Sequence, residues 1–322
     1  MNKQYDVVAL GELLIDFTEN GTSGQGNPVY EANPGGAPCN VLSMLNRLGH
    51  QTAFLGKVGN DIFGRQLRST VESAGINVEG LLTDEDVRTT LAFVETKPDG
   101  DRDFSFYRNP GADMMLREEE VRDDIIAAGK IFHFGTLSMT NEPVRSATKH
   151  AIAVAKENGA LISFDPNIRE PLWKDMEEAK EQTAYGLSVC DILKISDNEI
   201  QWFSGKEDHT EGIRMLQQTY QIPLILLSMG RDGSRAYYKN MLVEVPAFLQ
   251  KNTIETTGAG DTFGACCLHY ILQYGLMELT EQQLKDMLTF ANAAASIITT
   301  RKGALRVMPS LEEIQNYFES IS

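Results

Sequence analysis

The run Ile254-Glu255-Thr256-Thr257-Gly258-Ala259-Gly260-Asp261-Thr262-Phe263 sets one carboxylate behind two glycines and an alanine, at the expected start of a helix. The first N–H groups of a helix have no partner within it and carry partial positive charge. Side chains as small as those of Gly258, Ala259 and Gly260 let an anion touch that backbone directly. Asp261 then stands where a carboxylate can accept a proton from an incoming hydroxyl, while the N–H groups take up charge developing on a transferred phosphoryl group. The same run also suits a plain helix cap, with Thr257 or Asp261 as the capping side chain after a glycine turn. Two other phosphate loops are excluded. No GxxxxGK[ST] occurs, and Gly11-Glu12-Leu13-Leu14-Ile15-Asp16 lacks the glycine spacing of a dinucleotide fingerprint.

Other polar groups stand at the ends of apolar runs. Asn33-Pro34-Gly35-Gly36-Ala37-Pro38-Cys39-Asn40 leads into the apolar stretch Val41 to Leu48. Gly35 and Gly36 allow backbone to approach a ligand, and Asn40, about one turn into the helix, offers donor and acceptor to vicinal hydroxyls. Asp16 adds an acceptor just past the first strand, at the end of a parallel sheet where ligands collect. Ser163-Phe164-Asp165-Pro166-Asn167-Ile168-Arg169 places Asp165, Asn167 and Arg169 on one crest. Arg169 suits a carboxylate, a phosphate, a sugar hydroxyl or a surface ion pair.

Lys194-Ile195-Ser196-Asp197-Asn198-Glu199 closes a strand and opens a helix. Lys194 suits a phosphate and Glu199 a water-bridged Mg²⁺, although Ser-x-x-Glu is equally a capping box. The two-glycine turn in Leu227-Ser228-Met229-Gly230-Arg231-Asp232-Gly233 has room for a nucleotide. None of the five histidines has metal-ligand spacing, and no Ser or Cys nucleophile pairs with one, so hydrolase chemistry has no basis.

The elements that must position these groups follow from periodicity. Nearly continuous apolar runs at Asp6–Leu10, Thr52–Leu55, Ile131–Phe134, Leu161–Phe164, Ile192–Ile195 and Leu224–Leu227 predict strands covered on both faces. Helices are expected around 37–48, 61–75, 142–158, 175–188 and 208–219, then 260–275, 281–300 and 310–320. This βα alternation predicts an α/β fold with a mainly parallel sheet. Residues 13–34, and the alternating runs at 90–94 and 103–107 around the turn Lys97-Pro98-Asp99-Gly100, break the rhythm and predict a small half-exposed sheet, a natural lid.

A chain of 322 residues, 42% hydrophobic, can bury a large core. Its formal net charge of -16 argues against nucleic acid or an anionic membrane as partner. No apolar run reaches membrane-spanning length and no apolar leader precedes Val7, so a cytoplasmic protein is expected. Cys39, Cys190, Cys266 and Cys267 form no CxxC pair and are expected to be reduced.

Taken together and in order, these residues resemble the ribokinase (phosphofructokinase-B) carbohydrate kinase family along essentially the whole chain. Gly35-Gly36-x-x-x-Asn40 resembles its sugar-binding signature, and Thr256-Thr257-Gly258-Ala259-Gly260-Asp261 its catalytic one. The resemblance implies a ribokinase-like three-layer α/β domain over residues 1–322, with lid segments at about 13–34 and 87–108. It implies Asp261 as general base, the backbone of Gly258, Ala259 and Gly260 as anion hole, and Asp16, Gly35, Gly36 and Asn40 as sugar contacts.

Within that family, Phe106–Asp113, Phe164–Trp173 and Thr299–Ala304 resemble fructokinase segments. The carry-over puts Lys194, Glu199, Ser228, Gly230, Gly233 and Asn292 along an ATP site, and Tyr107, Arg108 and Arg169 near the sugar. Backbone carbonyls around Glu255, Thr257, Ile298, Arg301 and Gly303 match a monovalent-cation loop. ATP and Mg²⁺ are implied, with K⁺ as candidate activator and a homodimer formed through the lid. The chain departs from the family pattern at Glu255 (usually Asp), Ser196 (Asn), Ser228 (Thr), Cys266 (Gly or Ala) and Val307, where ribokinases offer a hydroxyl.

The activity so implied is transfer of the γ-phosphoryl group of MgATP to the 6-hydroxyl of fructose, giving fructose 6-phosphate and ADP. A kinase of 2-keto-3-deoxygluconate, or of ribose or a riboside, is the alternative, because Tyr107, Arg108 and Arg169 suit the carboxylate of a sugar acid as well as a ketose. A sugar or nucleotide sensor without turnover is the reading from a different class. A dinucleotide oxidoreductase is disfavoured by the missing fingerprint.

Overall fold

Strands buried on both faces need apolar residues at every position, and the six runs of that kind form the middle of one sheet. The structure, a computed structural model, describes residues 3–96 and 102–321. The turn expected at Lys97-Pro98-Asp99-Gly100 lies outside the described residues. In chain order the elements are β1 (Tyr5–Leu10), β2 (Leu14–Thr22), β3 (Pro28–Gly35), α1 (Ala37–Arg47), β4 (Thr52–Gly59), α2 (Ile62–Ser73), β5 (Asn77–Asp84), β6 (Leu91–Thr96) and β7 (Arg102–Tyr107). They continue with α3 (Asp123–Ala127), β8 (Gly129–Gly135), α4 (Val144–Glu157), β9 (Leu161–Asp165), α5 (Met176–Val189), β10 (Ile192–Ser196), α6 (Asp197–Ser204) and α7 (His209–Tyr220). The last are β11 (Leu224–Ser228), β12 (Ser234–Tyr238), β13 (Met241–Val245), α8 (Ala259–Tyr274), α9 (Glu281–Ile298) and α10 (Leu311–Ile321).

The larger sheet has nine described strands in the order β13-β12-β11-β10-β9-β8-β1-β4-β5. Pairing is parallel from β11 to β5 and antiparallel at β12 and β13. Alternation along β1 separates two cores. Val7 and Ala9 face one side, with Val41, Leu45, Phe263 and Leu288 of the α1, α8 and α9 layer. Val8 and Leu10 face the other, with Ala151, Leu187, Ile200 and Leu216 of the α4 to α7 layer. Each such buried side chain contributes about 1.5–3 kcal/mol.

The edges β5 and β13, and β12 beside β13, went unanticipated: in β5 and β13 buried apolar residues are mixed with exposed polar ones, and β12 is a five-residue run that opens on Ser234 and Arg235. α6 is short and was seen only as a helix opening.

The smaller sheet runs β3-β2-β6-β7, with β2 and β6 parallel. The residues aligned across it are Asp16 with Ala92 and Ala92 with Phe106, and one step on Phe17 with Phe93. One face therefore looks onto the carboxyl end of the large sheet, and the other looks away. No described helix is long and apolar enough to cross a membrane. All four cysteines are buried and unpaired, as expected.

Candidate active site

The catalytic run folds as its glycines dictate. Gly258 takes φ 76°, left-handed, and its carbonyl accepts from the Thr262 N–H at 2.8 Å, closing the first turn of α8. A Cβ at that position would come within 2.7 Å of Ala304 Cβ. The N-cap of α8 is Gly258, not Thr257 or Asp261, so no N-cap side chain takes up the terminal N–H groups, although the Ala259 N–H already donates to Thr256 O at 3.2 Å. Lys194 Nζ lies 3.1 Å from where a Cβ on Gly260 would stand, which brings an ammonium beside that backbone.

Asp261 points to α1. Its Oδ2 accepts from Asn40 Nδ2 at 2.7 Å. Burial pushes its carboxyl above the usual aspartate range, while the Asn40 bond and the charges of Lys194 and Arg169 pull it back down. Asn40 is nearly buried, and its Oδ1 has no hydrogen-bond partner among the described residues, an orphan acceptor at the cleft. α1 can begin there because Gly36 takes φ 132° against the backbone of Glu12 and Leu13. A side chain on Gly35 would run into the Asp16 carboxylate.

Two clefts meet at this helix start. The first, about 380 Å³, is lined by Asp16, Gly35, Gly36, Asn40, Arg169, Lys194 and Asp261. The second, about 460 Å³, is lined by Ser228, Gly230, Gly233 and Asn292 with the apolar Phe248, Phe263 and Ala295. Both are of small-ligand size, and Thr256 and Gly260 line both. Asn292 also braces its wall, accepting from Ser234 Oγ at 2.9 Å and donating to Val245 O at 3.1 Å. A cleft lined by several polar side chains and a largely apolar one thus meet at one helix start, with Asp261 on the first.

Residues 4–311 match the pfkB family carbohydrate kinases. The chain belongs to that family. It is 41% identical over 306 residues to a protein named probable fructokinase-2 of Arabidopsis thaliana, covering 94% of this chain and 93% of that one. A fructokinase double mutant of Vibrio cholerae O395, solved with fructose, ADP and potassium ion bound, superposes with a TM-score of 0.87 at 30% identity, over 98% of this chain and 99% of that one. A protein described as a ribokinase II from E. coli, in complex with ATP and Mg²⁺, superposes with a TM-score of 0.86 at 26% identity, over 98% of this chain and 99% of that one. The fold is ribokinase-like, as the sequence implied.

Not every expected residue reaches the kinase's clefts. Tyr107 is 66% exposed on the outer face of the small sheet, edge-on to Phe93, and its neighbour Phe106 lines the first cleft instead. The alternation of Phe104, Ser105, Phe106 and Tyr107 was the available signal. Arg108 turns inward. Its guanidinium is spent on Asp113 at 2.8 Å, Thr140 Oγ1 at 2.9 Å and Leu137 O at 2.9 Å, and it lines neither cleft. Sequence reasoning missed Phe106, Asn33 and Glu12 as cleft residues.

Glu199 also lines neither cleft of the kinase. It closes the capping box on Ser196 and accepts from Ile168 N–H at 2.9 Å, tying the Asp165–Arg169 crest to α6. Burial works to raise Glu199, but the Lys194 charge and these donors hold it below the usual range. Burial likewise works to lower Lys194, yet Asp165, whose Oδ2 is 3.0 Å away, and Glu199 keep its ammonium above the usual lysine range.

Of the residues expected in a cation loop, Glu255, Thr257 and Gly303 line the first cleft of the kinase. Ile254 and Glu255 N–H donate to Thr299 O at 2.8 and 3.2 Å, and Glu255 Oε1 accepts from Gly303 N–H at 2.8 Å. Ile298 lies buried beneath Gly258, and its carbonyl already accepts from Arg301 N–H at 3.0 Å. The Arg301 side chain turns away to Val307 O and Glu313. Among the described residues no group of three or more His, Cys, Asp and Glu could hold a metal ion.

Proposed function

We propose that this chain is an ATP-dependent fructokinase. One observation carries the reading: Asp261, held by Asn40, stands at the uncapped start of α8 where the two clefts join. Relatives named fructokinase, and solved fructokinases with fructose, ATP or ADP, support the substrates. Asp261 accepts the proton of the sugar's 6-hydroxyl, that oxygen bonds to the γ-phosphorus, and the bond from phosphorus to the β–γ bridging oxygen breaks, leaving ADP. The N–H of Gly260, with Lys194 beside it, takes up the charge on the transferred group.

The sugar fits the first cleft, against Asp16, Asn40, Arg169 and the orphan Asn40 Oδ1, and ATP the second, with its apolar walls toward the base. With no carboxylate cluster to cage it, Mg²⁺ would be held chiefly by the phosphates and water, Glu199 acting no closer than through water. The paired backbone at 254–257 and 299–303 is the candidate K⁺ site, through its carbonyls. Burial of Arg108 leaves Arg169 as the arginine of the first cleft, which favours a neutral ketose over a sugar acid.

The small sheet, with residues 13–34 and 87–108, would act as a lid inserted in a single domain of residues 1–322. Its exposed Tyr30 and Tyr107, set edge-on to the half-buried Phe93, suit pairing with a second copy, and a cytoplasmic homodimer is the proposed form. The test is sugar-dependent ADP release across fructose, 2-keto-3-deoxygluconate, ribose and aminoimidazole riboside. Highest kcat/KM with fructose is expected; a preference for another sugar, or no turnover with any, overturns the assignment.

A further inference from the structure

Glu12 has no part in the chemistry above, and its place in the fold is unusual. It follows β1 directly, its side chain is 3% exposed, and its Oε1 accepts from the Ala37 N–H at 2.8 Å, a bond that spans 25 residues. Ala37 is the first residue of α1, and its N-cap, Gly36, has no side chain to cap with. Glu12 therefore supplies from another element the capping that the helix lacks. The join is tight on both sides. Gly36 lies against the Glu12 carbonyl, and a Cβ on Gly11 would reach 2.6 Å from Pro38 Cγ.

Four residues into that helix stands Asn40, whose amide holds Asp261. Rotation of the first turn of α1 would swing this amide away from the carboxylate. Behind Glu12 is a further cavity of about 10 Å³, the size of one water, lined also by His133, Thr136, Asp165 and Asn167. Glu12 thus stands between the first cleft and this small polar cavity.

We propose that Glu12 is a positioning residue for phosphoryl transfer: its carboxyl oxygen fixes the first turn of α1, and through Asn40 it fixes Asp261. The idea rests on the fructokinase reading above. Burial pushes Glu12 up to about 7, with Asp113 adding to the rise and Arg108 opposing it, so near neutrality it exchanges a proton. Either form keeps a lone pair on Oε1 toward the Ala37 N–H. What matters is the acceptor oxygen, not the charge.

The test compares Glu12→Gln, which keeps that oxygen, with Glu12→Ala, which removes it, in the full-length protein. Glu12→Ala should lose about 10- to 100-fold in kcat with the KM for ATP within about twofold of wild type. The acid limb of its kcat/KM profile should move to higher pH, because Asp261 loses the bond that opposes its burial while Lys194 and Arg169 still face it. Glu12→Gln should keep at least about a third of the wild-type kcat and the wild-type limb, since its amide oxygen replaces the acceptor.

A residue that served packing alone would lower stability without moving the limb. If Glu12→Ala does not fold, Glu12→Asp, one methylene short of Ala37, gives the same readout. An unmoved limb in a folded variant, or a Glu12→Gln as slow as Glu12→Ala, overturns the proposal. Wild-type protein that phosphorylates no sugar would instead overturn the functional reading on which it rests.

Discussion

Asn40 Nδ2 donates to Asp261 Oδ2 at 2.7 Å, joining the first turns of α1 and α8 across 221 residues of sequence. The bond opposes burial, which alone would raise the carboxyl further. A general base works only when unprotonated, so raising its pKa carries the loss of activity to higher pH. Asn40→Ala should shift the acid limb of kcat/KM upward and lower kcat at neutral pH about tenfold or more. A pH–rate profile identical to that of wild type would show that the bond is not made during turnover.

The start of α8 tolerates no side chain at Gly258. A methyl there meets Ala304 Cβ at 2.7 Å and must adopt φ 76°. Gly258→Ala should lose about 2–4 kcal/mol of stability, from left-handed strain plus overpacking. Urea unfolding reads this directly; an unchanged midpoint would mean that the turn is not as described.

Phe106 and Arg108 should separate cleanly. Phe106→Ala opens the wall of the first cleft and is expected to raise the fructose KM roughly tenfold with little loss of stability, about 1.4 kcal/mol of binding. Arg108→Ala leaves Asp113 buried without its countercharge and should cost about 3–5 kcal/mol of stability, with the fructose KM of the folded enzyme nearly unchanged. The opposite pattern would return Arg108 to the sugar site.

Stability should fall on acidification through the histidines. Burial, with the charge of Lys194 for His133 and that of His50 for His269, lowers both to about 4. An unfolded histidine titrates near 6.5, so below that pH the unfolded chain takes up protons that the folded one refuses. The contribution of each is complete above about 6.5 and is lost as pH falls toward 4, worth up to roughly 3 kcal/mol for the fully buried His133 and less for His269, which solvent partly screens. Glu12, raised to about 7, acts in the opposite sense, so the histidine contribution is a difference. His269→Gln should show a smaller drop in urea midpoint between pH 7 and pH 5 than wild type; an equal drop contradicts the lowered value.

The six buried strands and the helices from 37–48 to 310–320 were legible because each has a single dominant period. The edges β5 and β13, and β12 next to β13, were not, since they are stabilised by pairing that a local pattern does not reveal. Gly35, Gly36, Asn40 and Asp261 could be read as a site from type and spacing, yet the Asn40–Asp261 bond could not, because it depends on how α1 and α8 pack. Tyr107 and Arg108 stand outside the two clefts for a different reason. Both are chemically suited to a sugar, but β7 turns Tyr107 outward and a buried Asp113 claims Arg108. Glu12 went unnoticed since nothing in Gly11-Glu12-Leu13 marks it as the cap of a helix that begins 25 residues later.

The most direct measurement is the rate of ADP release by Asp261→Asn at saturating MgATP and fructose. A fall of about 10²- to 10⁴-fold in kcat, with the fructose KM little changed, is the result expected if this carboxylate takes the proton. Turnover at nearly the parental rate would contradict it.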